Sequence, residues 1–89
     1  MADITAEFFI DDILVIVECE VTGRLISTTF EHDKEDERDI DAHTVSCFAE
    51  DGEKVIPSNE FLNGIYNRIN ANFNKIYNAA SDGKDSILI

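Results

Sequence analysis

The sequence predicts an α+β fold: an antiparallel sheet of three to four strands with one long C-terminal helix packed on it. Two observations carry this expectation. Apolar residues alternate with period two through much of the first fifty positions, and from position 61 to 80 they recur at helical spacing. The chain, 89 residues long, reads as a single domain over 1–89. An acidic β part spans 1–54, the helix 57–82 and a tail 83–89.

Ile4, Ala6, Phe8 and Ile10 point one way, as do Ile13, Val15, Val17, Cys19 and Val21. Asp11-Asp12 between them fits a two-residue turn. Pairing across that turn sets Ile10 opposite Ile13, Phe8 opposite Val15, Ala6 opposite Val17 and Ile4 opposite Cys19. All eight then share one face, and a one-residue slip destroys the match. The other face carries Glu7, Glu18 and Glu20, with Phe9, Leu14 and Ile16 near the turn. Thr22-Gly23-Arg24 reads as the next turn, and 25–31 as a third, β-prone strand. The polar stretch 31–39 reads as a loop. Residues 40–49 fit a fourth strand of unsettled facing, with Ile40, Ala42 and Phe48 on one side and Val45, Cys47 and Ala49 on the other. Residues 50–53 make a turn.

Ser58 is a plausible N-cap, and Glu60 suits the positive end of a helix. Phe61, Leu62, Ile65, Ile69, Phe73, Ile76 and Ala80 follow on one stripe, and Gly83 marks the end. A helix over 59–80 would be roughly 33 Å long. It is expected to bury Phe61, Ile65, Ile69, Phe73 and Ile76 against Ile4, Phe8, Val15 and Val17. Gly64 within it costs about 1 kcal/mol against Ala, which points to close packing there. The apolar tail, Ser86 to Ile89, is expected to add an edge strand or to dock on a partner.

Charge divides the chain. Residues 1–54 hold sixteen of the nineteen carboxylates and four of the seven basic residues, which accounts for the whole net charge of −12. Such a balance repels phosphates, so no direct binding of nucleic acid and no binding to an anionic membrane are expected. It attracts basic proteins instead. The N-terminus lacks the basic and apolar regions of a secretory signal. The longest apolar run, Ile13–Val17, is far too short to span a bilayer. A cytoplasmic location is therefore expected, and two cysteines do not make a disulfide scaffold.

Two patterns are candidates for partner binding. Glu31, Asp33, Glu35, Asp36, Glu37, Asp39 and Asp41 recur every one or two positions. In a strand, alternate carboxylates lie roughly 6.6–6.8 Å apart, near the phosphate spacing of a nucleic-acid strand. The segment reads either as a phosphate mimic or as a solvated loop that keeps the sheet soluble. Asn63, Asn67, Asn70, Asn74 and Asn78 line one helical face, with Tyr66 and Tyr77 beside them. Asn is a poor helix former, so the stripe is either a neutral contact surface or a compositional bias. Cys19, His32, His43 and Cys47 are competent zinc ligands, but no local knuckle spacing joins them. No nucleophile elbow, phosphate loop or calcium-loop order is present. No enzyme activity, metal or cofactor is expected.

The hairpin EFFIDDILVIVECEVTG, the acidic EHDKEDERDID and the helix EFLNGIYNRINANFNKI together resemble small acidic accessory proteins of bacteriophages and prophages. The likeness is one of size, charge and layout. It implies a non-enzymatic inhibitor of host machinery, of anti-restriction or anti-CRISPR type, that works in the host cytoplasm. Its partner would be a basic host protein of nuclease, CRISPR-effector or polymerase class, reached through these carboxylates and through Asn63, Asn67, Asn70 and Asn74. The apolar Phe9, Leu14 and Ile16 depart from a pure charge mimic. They keep open a homodimer, or a phage structural or assembly accessory protein that self-associates.

Overall fold

In a computed structural model of the chain, residues 2–23, 25–27 and 34–89 are described, those of 25–27 and 34–36 by their backbone alone. Strands β1 (Ala2–Ile10) and β2 (Ile13–Thr22) form the expected hairpin, in the register that sets Ile10 opposite Ile13, Phe8 opposite Val15 and Ile4 opposite Cys19. Asp11 and Asp12 both take positive φ, 49° and 66°, the backbone that a two-residue turn needs to match strand twist. Neither residue is Gly, so the turn holds some local strain.

Strand β3 (Leu25–Ser27) does not turn back onto the sheet. It pairs with β4 (Lys34–Asp36), which lies inside the stretch read as a loop. Thr22 faces Asp39 and Leu25 faces Asp36, so the register carries straight on from the β2–β5 pair. The chain reversal expected at Thr22-Gly23-Arg24 is therefore corrected as far as Thr22 and Gly23 are concerned, and Arg24 lies outside the described residues. Gly23 sits at φ 77°, and a Cβ there would overlap the carbonyl oxygen of Glu37. Only glycine permits that close approach. The ribbon lengthens the molecule to 55 × 26 × 17 Å, with a radius of gyration of 15.1 Å. A compact chain of this length would have about 12 Å.

Strand β5 (Asp39–Phe48) pairs with β2, and the unsettled facing of this segment has a physical answer. Glu18 faces Thr44 while Cys19 faces Ala42, which leaves His43 as an extra residue in a β-bulge. The bulge shifts the phase of the alternation. Ile40 and Ala42 before it, and Val45 and Cys47 after it, all reach the same face. Strand β6 (Lys54–Val55) borders the end of β5, and β7 (Ser86–Leu88) runs parallel to β1 on the far edge. The tail is therefore an edge strand.

The fold expected from sequence is corrected on two counts. The sheet has five strands in the order β6-β5-β2-β1-β7 and is mixed, since β7 is parallel to its neighbour. The single long helix over 57–82 is two shorter ones, α1 (Asn59–Ala71) and α2 (Phe73–Ser81). Asn72 makes the break. Its side-chain amide donates to the carbonyl of Arg68 at 2.9 Å, and its backbone N–H is shared between the carbonyls of Arg68 and Ile69. Asn often competes for backbone partners in this way. The apolar stripe runs across the break, so spacing alone does not reveal it. The start is as read: Ser58 Oγ accepts from the Phe61 N–H at 3.2 Å.

Both helices cover one face of the sheet. Ile65, Ile69, Ile76, Ala79 and Ala80 are buried against Ile4, Ala6, Phe8, Val15, Val17, Cys19, Val21 and Cys47. Phe73, expected in this stripe, is only half-buried and lies under the Arg38 guanidinium, 5.3 Å from its carbon. Gly64 is exposed with open space around it, so the expected close packing is absent there. Among the described residues, no polar or charged side chain is buried.

Replacing Ile65, which is fully buried, by Ala should cost about 2–5 kcal/mol, read as a lowered urea midpoint. Asp12→Gly should act in the opposite sense and raise stability by up to about 1 kcal/mol, since glycine takes positive φ without strain. An unchanged or lower midpoint for that variant would count against a strained turn.

Candidate functional site

One face of the sheet carries the helices. On the other, the pairing aligns side chains from β1, β2 and β5 in rows across the strands. Phe9, Leu14 and Phe48 form the row nearest the Asp11–Asp12 turn. Glu7, Ile16 and Ser46 come next, then Thr5, Glu18 and Thr44, and then Asp3, Glu20 and Asp41. Thr22 and Asp39 end the face at the root of the β3–β4 ribbon. Successive rows are about 6.8 Å apart. The face thus runs from an apolar end to an acidic end.

Asp3, Glu20 and Asp41 are direct neighbours on three adjacent strands. Like charges directly opposite weaken a sheet, so this row is not there for stability. Glu18 and Asp39 extend it. The described basic side chains lie mostly elsewhere. Arg38 Nη1 donates to Asn74 Oδ1 at 2.9 Å, and its guanidinium sits over Phe73 and Tyr77 on α2. Arg68 lies over the Phe8 ring and donates to the Ile89 carbonyl at 3.1 Å. Lys75 is on α2. Lys54, opposite Phe48, is at the apolar end. None of the residues that make up the acidic rows is Lys or Arg, and Lys84 lies just before β7, the edge neighbour of β1.

At the apolar end, Phe9 is 61% exposed, and Leu88 of β7, beside Glu7, is 66% exposed. Phe9, Leu14, Phe48 and Ala49, together with Asp12, Glu50 and Gly52, line an open hollow of about 660 Å³.

The carboxylates singled out in the sequence are only partly gathered here. Asp39 and Asp41 lie on the open face and are exposed. Glu37 is exposed at the root of the ribbon, and Glu35 and Asp36 belong to β4. Glu31 and Asp33 lie outside the described residues. Asn63, Asn67, Asn70 and Asn74 are exposed on the helices, which cover the opposite face. The amide stripe and the open-face carboxylates therefore cannot form one surface, and the break at Asn72 divides the stripe. Tyr77 is turned inward, and its hydroxyl donates to the Gly23 carbonyl at 3.0 Å. With Arg38, it ties the ribbon's root to α2. Asp3, Glu7, Glu18 and Glu20 were not among the candidates, although strand alternation already put the last three on one face.

Cys19 and Cys47 are free thiols buried in the core, and His43 is exposed at the bulge, bonded to Thr44 Oγ1 at 2.9 Å. His32 lies outside the described residues. Among the described residues, no group of three or more His, Cys, Asp or Glu side chains could hold a metal ion, and no helix is long and apolar enough to cross a membrane. No family model matches the chain, and no curated protein or solved structure shows significant similarity to it.

Burial, and secondarily the charge of Asp41, pushes the Cys19 thiol up to about 11, and burial raises Cys47 too. The folded state keeps the Cys19 proton at a pH where the unfolded chain has lost it. Stability is therefore full below about pH 9 and falls toward pH 11, by on the order of 2–3 kcal/mol. Urea midpoints measured from pH 8 to 11 should show that fall, and Cys19→Ala should flatten it. An equal slope in the variant would remove Cys19 as the cause.

Proposed function

We propose that the protein is a non-enzymatic inhibitor that binds a basic, nucleic-acid-binding host protein through the acidic end of its open sheet face. The row Asp3–Glu20–Asp41 carries this reading. Three carboxylates on adjacent strands repel one another in the free protein. A cationic partner relieves that repulsion, so part of the binding free energy comes from strain already present. The −12 net charge speeds encounter with a basic cleft. The targets that fit are nucleases, CRISPR effectors and polymerases, whose clefts are built for phosphates. That role matches the phage accessory proteins whose size, charge and layout the chain resembles, acting in the host cytoplasm. The β3–β4 ribbon, whose β4 includes Glu35 and Asp36, adjoins the acidic end, and the exposed Glu37 stands at its root.

A second reading draws on the apolar row Phe9–Leu14–Phe48: a phage structural or assembly protein that self-associates through it. Ionic strength separates the two, since apolar association tolerates salt and ion pairing does not.

The test compares wild type with the variant Glu18→Gln/Glu20→Gln/Asp39→Asn/Asp41→Asn. Each is immobilised and exposed to bacterial lysate at low salt, then eluted along a salt gradient. Wild type should retain basic nucleic-acid-binding proteins and release them as salt rises, with affinity falling roughly tenfold or more between about 50 and 200 mM. The variant should keep its fold and lose them. Equal retention by both proteins, or elution that ignores salt, rejects the reading. A salt-resistant oligomer in sedimentation would favour the second one.

A further inference from the structure

The acidic rows and the apolar hollow share one continuous face, and that continuity carries more than either part alone. In a sheet the backbone hydrogen-bonding groups are used up within the plane, so this face offers side chains only. The element suited to lie there is a helix, whose own backbone is self-satisfied, and helices already cover the opposite face in this way. From Phe9 to Asp3 the face is six residues of β1 long, about 20 Å. About 14 residues of helix match that length.

Charge decides which helix. Asp12 and Glu50 are among the residues that line the hollow, and the face beyond it is acidic. A second copy of this chain would bring the same carboxylates against these, at −12 on each molecule. A basic partner meets them with opposite charge. We propose that the open face accepts a basic amphipathic helix of the partner protein, laid along the strands. One or two large apolar side chains of that helix fill the hollow between Phe9, Leu14 and Phe48, and its Lys or Arg side chains lie over Glu18, Glu20 and Asp41. The inference rests on the reading of the acidic face as a docking surface and adds what the partner must present. In this division of labour the hollow supplies the buried contact and the carboxylates supply orientation and rate.

The probes are two synthetic 14-residue helical peptides with the same Lys residues. One carries Leu and Phe in its first turn, and the other carries Ala there. Binding to the full chain is followed by fluorescence anisotropy across a salt series. The Leu/Phe peptide should bind at least tenfold tighter. Phe9→Ser, at an exposed position, should remove that difference and leave the salt dependence in place. Glu18→Gln/Glu20→Gln should weaken both peptides and flatten their salt dependence. If both peptides bind wild type equally and salt-sensitively, the hollow takes no part and the helix proposal falls, while the acidic docking face stands. If neither binds at low salt, both fall. If sedimentation shows a dimer that Phe9→Ser dissociates, a second copy covers the face and the proposal is overturned.

Discussion

The register of the β1–β2 hairpin governs the rest of the structure. Because side chains alternate strictly along a strand, a single pairing decides the faces of nineteen residues together. In the native register Ile4, Ala6 and Phe8 join Val15, Val17 and Cys19 beneath the helices. A slip by one would turn half of them to water and bring Glu18 and Glu20 into the core. The Asp11–Asp12 turn holds this register at positive φ, so local strain is tolerated where the gain is a whole buried face.

The same demand explains the bulge in β5. Its apolar residues, Ile40 and Ala42 then Val45 and Cys47, are out of phase by one position. A regular strand could bury only one pair. Setting His43 aside restores the phase, and the core accepts both. Bulges also bend and twist a strand, and this one lies in a stretch of β5 that β6 does not border.

Burying one face leaves the other to carry polar and charged groups, and here the carboxylates gather on it. The arrangement runs against sheet stability at Asp3, Glu20 and Asp41, while Arg38 and Arg68 are spent on the helix side, over aromatic rings. Arg38 and Tyr77 also fix where the β3–β4 ribbon leaves the body, and Gly23 lets the two paired segments approach closely there. Position on the open face and position along the ribbon are thus coupled through one joint.

The hairpin register and the N-cap at Ser58 follow from local rules, and alternation alone puts Glu7, Glu18 and Glu20 on one face with Phe9. Those features depend on neighbours in sequence or across a two-residue turn. Other features depend on contacts that no local pattern records. The run Glu31 to Asp41 reads as one row, but its described part divides between β4 and β5, and its Asp41 meets Asp3 and Glu20 only because β1, β2 and β5 are adjacent. The amide stripe reads as a second candidate contact surface, and packing of Ile65, Ile69 and Ile76 sets it on the opposite side of the sheet from the open-face carboxylates. The break at Asn72 was hidden because the apolar spacing continues through it. Sequence by itself determined periodicity, turn and charge, since these are properties of consecutive residues. Tertiary structure decided which carboxylates stand together and which face stays open, since strand order and a bulge set those.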